Sequence, residues 1–305
     1  MRLGTRGSRL ALWQAEWVRG RLAELGVAAE IVVIKTRGDT EVDRPLHQLP
    51  GKGFFTKEIE EALLAGRIDV AVHSLKDLST RLPDGLALAA VPQRADPLDA
   101  LVTHGAAAPG PALAALRPGA RLGTSSLRRL AQARHLRPDL DVVALRGNVP
   151  TRVSKVRSGK DLDAALLAAA GLERLDLGGE IAARLDPLEI MPAPGQGALG
   201  LEIRTDDTAA RRALAPLEHP PTAAAVHAER ALLAALGGGC QAPVAAYVAQ
   251  RATDGAQRLY GRVTAPDGSV QLTASAALDD RDAVAAGEEV ARLLIAQGAE
   301  KLLAR

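Results

Sequence analysis

Along the first two-thirds of the chain, short apolar runs alternate with apolar residues at helical spacing, the pattern of an α/β fold with parallel sheets. Residues 1–5 read as a strand. Ser8 then offers an N-cap to a helix whose Leu10, Trp13, Trp17, Val18, Leu22 and Leu25 keep helical spacing until Gly26 stops it. A strand over 29–35 follows. Next comes a polar stretch from Gly38 to Gly53, long for a connection and therefore expected to serve function or movement. Phe55, Ile59 and Leu63 stripe a second helix ending at Gly66, ahead of a strand over 68–72. After Pro92 the pattern restarts, with strands expected over 100–103, 120–122, 142–145 and 163–167. A second punctuated crossing, Pro192 to Gly197, leads into a strand over 198–203.

From Thr222 the texture changes. A helix over 222–236 runs into Gly237, Gly238 and Gly239, and strands follow over 243–248, 258–263 and 270–276, the last two joined by the turn Pro266-Asp267-Gly268. A closing helix is expected over 282–303. The two crossings point to a middle domain inserted into the first. The expected division is 1–94 with 198–217, then 95–197, then a small C-terminal α+β domain, 218–305, with a three-stranded antiparallel sheet.

Composition narrows this only at the margins. A length of 305 residues exceeds what one core supports. Aromatics are 2% of the chain, so Leu, Val, Ile and Ala must fill the interior. A formal charge of +2 gives no reason to expect nucleic acid as a partner. No apolar run is long enough to span a membrane, and Arg6, Arg9 and Glu16 interrupt any signal-like segment, so a cytoplasmic location is the expectation. One cysteine, Cys240, rules out an internal disulfide and a multi-cysteine metal site. His47, His73, His104, His135, His219 and His227 show no metal-type spacing, so no metal is expected.

The polar loops after the strands carry the chemistry. Arg6-Gly7-Ser8, His73-Ser74-Leu75-Lys76-Asp77, Gly123-Thr124-Ser125-Ser126-Leu127-Arg128-Arg129 and Arg146-Gly147-Asn148-Val149-Pro150-Thr151-Arg152 each follow a strand. In an open α/β sheet such loops form the ligand crevice. They bring hydroxyls, helix-start N–H groups and guanidinium forks together, which is a set of anion receptors. No Walker loop or dinucleotide fingerprint is present, so a polycarboxylate suits them better than a nucleotide. Asp77 is a carboxylate among cations. It has little use in capturing an anion and points to stabilising a developing cation or moving a proton. Cys240, flanked by glycines on a loop between helix and strand, fits a nucleophile or attachment point better than a core filler.

The motifs from Val72 to Asp77 and from Gly123 to Arg129, Leu145-Arg146-Gly147-Asn148 with Thr151-Arg152, Gly195-Gln196-Gly197, and Gly238-Gly239-Cys240-Gln241 together resemble the porphobilinogen deaminase (hydroxymethylbilane synthase) family, over nearly the whole chain. The resemblance implies two α/β domains of periplasmic-binding-protein type with the active site between them, plus the small third domain. It implies a dipyrromethane cofactor held through a thioether to Cys240. Four porphobilinogen molecules add to this primer, each losing ammonia, before hydroxymethylbilane is released. The implied carboxylate-binding residues are Arg6, Ser8, Lys52, Ser74, Lys76, Thr124, Ser125, Ser126, Arg128, Arg129, Arg146, Arg152, Arg174 and Gln196. Asp77 is the implied catalytic group, steadying an azafulvenium-type cation through pyrrole N–H groups, and Lys52 lies on a loop covering the cleft. Phe55 fits a pyrrole contact or a core role equally well. Gln196 fits either a hinge or a cleft ligand. A monomer with a small-molecule substrate is expected, without nucleic-acid or membrane partners. The main alternative is a non-catalytic two-domain polyanion-binding protein. A hydrolase using Ser125 or Cys240 lacks a nucleophile elbow and a paired histidine.

Overall fold

A computed structural model describes residues 1–36, 38, 54–104, 112–238, 242–250, 255–279 and 282–303. Lys52 and Cys240 lie outside the described residues.

The first strand, β1 (Arg2–Thr5), leads into α1 (Arg9–Glu24), where Ser8 Oγ accepts from the Ala11 amide. Gly26, at φ +75°, lets the chain turn away. The helix buries Ala11, Ala15, Val18 and Leu22, whereas Trp13 and Leu25 of the expected stripe are 37% and 46% exposed. Only one face of α1 meets the sheet, and Trp13 instead lies under the Arg174 guanidinium, 5.6 Å from its ring centre. Next come β2 (Glu30–Val33), α2 (Lys57–Leu64) and β3 (Val70–Ser74), a single 3-10 turn over Leu75–Asp77, and β4 (Leu86–Ala90).

The chain then crosses to a second lobe made of β5 (Asp99–Thr103), β6 (Arg121–Thr124), α3 (Leu127–Leu136), β7 (Asp141–Ala144), α4 (Val149–Arg157), β8 (Ala164–Ala168), α5 (Ala169–Glu173) and β9 (Ala183–Arg184). Ser126 caps α3 and Asn148 caps α4, the latter with Pro150 in its first turn. A return crossing delivers β10 (Leu199–Arg204), followed by α6 (Thr208–Leu214).

The two sheets share one plan. The first runs β2-β1-β3-β10-β4, with β1 parallel to β2 and β3 and with β10 antiparallel to β3 and β4. The second runs β7-β6-β8-β5-β9, with β6 parallel to β7 and β8 and with β5 antiparallel to β8 and β9. In each, the fourth strand is the one reached through a crossing. Ala95 donates its amide to the Gly197 carbonyl at 3.2 Å, so the two crossings lie side by side.

The third unit packs α7 (Pro220–Ala235) and α8 (Ala283–Ala296), followed by α9 (Ala299–Leu303), on the antiparallel sheet of β11 (Val244–Gln250), β12 (Gln257–Thr264) and β13 (Gln271–Ala277). The expected closing helix breaks at Gly298, which adopts φ +98°. Arg262 docks this unit on the second lobe by donating to the carbonyls of Leu188 and Glu189 and to Gln132 Oε1. Val226 and Ala223 dock it on the first, in an apolar cluster with Leu75, Leu78, Val91 and Ala198. Among the described residues, no helix is long and apolar enough to cross a membrane.

Candidate active site

The ends of β1 and β3 open into one cleft. Arg6, Ser8, Gln14, Phe55, Ser74 and Asp77 line it. The Arg6 guanidinium carbon stands 4.1 Å from the centre of the Phe55 ring, so the aromatic face steadies a cation at the mouth. Gln14 Nε2 donates to Ser74 Oγ at 2.8 Å. Behind Ser74, buried His73 places Nε2 2.9 Å from Glu202 Oε2 on β10, fixing the end of β3 from below. The turn after β3 presents Lys76 and Asp77, both half-buried.

The second lobe supplies the opposite wall. Arg152, near the start of α4, donates Nη1 to Ser125 Oγ at 2.8 Å and Nε to the Gly147 carbonyl at 2.7 Å. Burial, then the positive charges of Arg129 and Arg146, pull the Arg152 pKa down to about 10, and Asp77 opposes them. Asp77 on one lobe and Arg152 on the other are therefore close enough to feel each other. Arg146 follows β7 on the same wall.

Between the walls lies a buried hub that sequence reasoning missed. Asp99, the first residue of β5, has no exposed surface. It accepts from Arg128 Nη1 at 2.7 Å, from Arg129 Nη2 at 2.7 Å and from Gln196 Nε2 at 2.7 Å. Burial alone would raise its pKa, but Arg128 and Arg129 hold the carboxyl well below the usual carboxylate range. Arg128 and Arg129 are thus engaged inside the molecule, only 4% and 5% exposed. Gln196 is wholly buried in the return crossing, where its Oε1 accepts from Lys76 Nζ at 3.3 Å and from Arg129 Nη2 at 3.4 Å. Burial, then Arg129, lowers Lys76 to about 8, against the pull of Asp77 and Asp99.

The remaining expected residues have structural partners. Buried Thr124 accepts from the Ser126 amide, and Ser126 accepts from the Arg129 amide. Arg174 is 9% exposed and donates to the Gly197 carbonyl at 2.7 Å, with its pKa lowered by burial to about 10. The contact with the return crossing, 23 positions on, is visible only in three dimensions. Arg94 and Glu229 also escaped notice. Arg94 meets both Glu229 carboxylate oxygens, at 2.8 and 3.1 Å, and donates Nε to the Gln196 carbonyl at 2.6 Å. Among the described residues, no group of three or more His, Cys, Asp or Glu is gathered to hold a metal. Among the described residues, the arrangement is a cleft whose polar lining is cationic groups, hydroxyls and an amide with one carboxylate, Asp77, at its edge. It can bind a polyanion and place a negative charge against one point of it.

A family model described as porphobilinogen deaminase, dipyromethane cofactor binding domain, matches residues 1–212. A second, porphobilinogen deaminase, C-terminal domain, matches residues 223–296. Porphobilinogen deaminase of Syntrophotalea carbinolica is 50% identical over 308 residues, covering 100% of this chain and 95% of the relative. That of Chromobacterium violaceum is 50% identical over 304 residues, covering 99% and 96%. Among solved structures, a periplasmic substrate-binding protein of an ABC transporter from Coxiella burnetii aligns at a TM-score of 0.43 and 16% identity, over 73% of this chain and 93% of that one.

Proposed function

This chain belongs to the porphobilinogen deaminase family, and from that premise we propose which of its residues carry the reaction. The reaction condenses four porphobilinogen molecules, each with loss of ammonia, onto a covalently held dipyrromethane primer and releases hydroxymethylbilane. A dipyrromethane carries an acetate and a propionate on each pyrrole. The donors around the cleft suit it: guanidiniums for carboxylates, the Ser8, Ser74 and Ser125 hydroxyls beside them, and one carboxylate for the pyrrole N–H groups. When bound, the group supplies an electron-rich pyrrole carbon on which the chain is extended.

Arg6, Arg146 and Arg152 orient the carboxylates, and Lys76 adds a cation whose pKa burial lowers to about 8. Thr124 and Ser126 hold the loop that presents Ser125. Arg128, Arg129 and Gln196, gathered on Asp99, set the floor between the lobes and keep the site positive, and Arg174 ties the second lobe to the return crossing. Asp77 is the catalytic group. It faces the positive charge that builds on the incoming ring as ammonia leaves, and it accepts and returns the proton exchanged when rings couple. The placement of this carboxylate, opposite Arg152 and beside Lys76 among the cations and hydroxyls of the described cleft, carries the reading. A protein that only captured polyanions would gain nothing from it.

Cys240 anchors the cofactor, and Lys52 adds a cation for its carboxylates. The domains run 1–94 with 198–217, 95–197 and 218–305, supported by the return of β10 to the first sheet. A thiol that must stay reduced to be alkylated suits the cytoplasm. A cleft built from one chain suits a monomer acting on porphobilinogen. Intact mass and turnover, measured together, test the reading. The denatured protein should exceed its sequence mass by two deaminated porphobilinogen units, and Cys240→Ala should remove the excess. Asp77→Asn should keep the fold and lose turnover by at least about 100-fold. A bare-sequence mass in active protein would sink the attachment, and near-normal turnover in Asp77→Asn would move the catalytic role elsewhere.

A further inference from the structure

The helix that leads the chain toward Cys240 also grips the turn bearing Asp77. That turn, Leu75–Asp77, is closed by the Leu78 amide donating to the Leu75 carbonyl at 3.2 Å. Leu78 then leaves in an extended conformation, and the next strand does not begin until Leu86. The carbonyls at this exit are taken by Arg230 of α7, which donates Nη1 to Leu78 at 3.0 Å and Nη2 to Ser79 at 2.7 Å. A planar fork that spans two successive carbonyls fixes the direction of the backbone between them as well as its distance.

Neighbouring residues of α7 hold the other side. Glu229 Oε2 accepts from the Gly195 amide at 2.7 Å, and Glu229 clasps Arg94, which donates to the Gln196 carbonyl. Gln196 in turn accepts from Lys76. Val226, one turn earlier, packs against Leu75 and Leu78. The Lys76-Asp77 pair is thus framed from behind and from the side by one helix of the third unit.

We propose that Arg230 is a positioning residue for the condensation: by fixing the exit from the turn it sets where the Asp77 carboxylate stands in the cleft. This rests on the reading of Asp77 as the catalytic group. Displacing a reacting group by about 1 Å costs on the order of 100-fold in rate. In the holoenzyme as expressed, Arg230→Met should therefore retain the cofactor mass and hold KM within about twofold, while kcat falls about 10- to 100-fold. Backbone amides just after Asp77 should exchange faster with solvent. Arg230→Lys, which can reach one carbonyl but not both in register, should recover part of kcat. Added to Asp77→Asn, Arg230→Met should lower the residual turnover no further, because both changes act through one carboxylate.

A kcat within about twofold of the parent, a loss confined to KM, or full additivity with Asp77→Asn would each overturn the proposal. If Arg230→Met does not fold, Arg230→Lys decides alone, and parental kcat and amide exchange in it overturn the proposal. Near-normal turnover in Asp77→Asn would instead overturn the reading of Asp77, and the role of Arg230 with it. A dead Asp77→Asn beside a fully active Arg230→Met would remove only the latter.

Discussion

Asp99 shows how much one residue decides here. With no exposed surface and two guanidiniums upon it, it must stay ionised. Asp99→Asn would leave Arg128 and Arg129 buried without their counter-charge, and a loss of about 3–5 kcal/mol is expected. Because the folded-state pKa is lowered, the stabilisation is complete above the ordinary carboxylate pKa of about 4 and drains away as pH falls below it. Urea midpoints at pH 7 and pH 3 should differ strongly in the parent protein and less in Asp99→Asn. Arg128 and Arg129 were legible as a cationic loop, and Lys76 and Asp77 as a charged pair after a strand. What they touch was not, since Asp99 pairs with residues 29 and 30 positions away and sits just outside the apolar run expected to form its strand. Gln14 was hidden for a similar reason: it lies within a helix whose periodicity announces packing, yet its amide reaches Ser74, 60 positions on.

Among the elements, the helices and strands with clear periodicity were readable, and those without it were not. The strand β4 is Leu-Ala-Leu-Ala-Ala, whose alanines carry little strand preference, and β9 has only two residues. The helix α6 is short and rests on the Asp207 cap, with Asp207 Oδ1 accepting from the Ala210 amide. Close approach between elements was equally silent. A Cβ on Gly287 of α8 would lie 2.4 Å from the Ala228 carbonyl oxygen and 2.7 Å from the Leu232 nitrogen, both backbone atoms of α7. The two helices touch main chain to main chain, so neither can yield locally. Gly287→Ala should lower the unfolding free energy by about 1–3 kcal/mol, read from urea denaturation. The same helix α7 bears Glu229 and Arg230, so some loss of turnover should accompany it.

In the whole molecule, two lobes of like plan meet across paired crossings, and a third unit braces both. Pro92 and the Pro192–Gly197 punctuation mark both crossings in the sequence, whereas nothing there announces that the two lie side by side. Gly197 makes it possible: its φ is +84°, and a Cβ there would stand 2.5 Å from the Ala95 carbonyl oxygen. Gly197→Ala should lower stability by on the order of 1–3 kcal/mol, measured by urea denaturation, and should depress turnover because the carbonyl that Arg174 holds and the Gln196 beside it would shift together. The position of β10 has a further consequence for how the protein comes into being. In the first sheet, β4 has β10 as its ladder partner, and all the strands of the second sheet lie between the two along the chain. The second sheet draws all its strands from residues 99–184. On a ribosome, the lobe begun second is therefore the first able to finish, and the amino-terminal lobe waits with an unpaired strand until residue 204 has emerged.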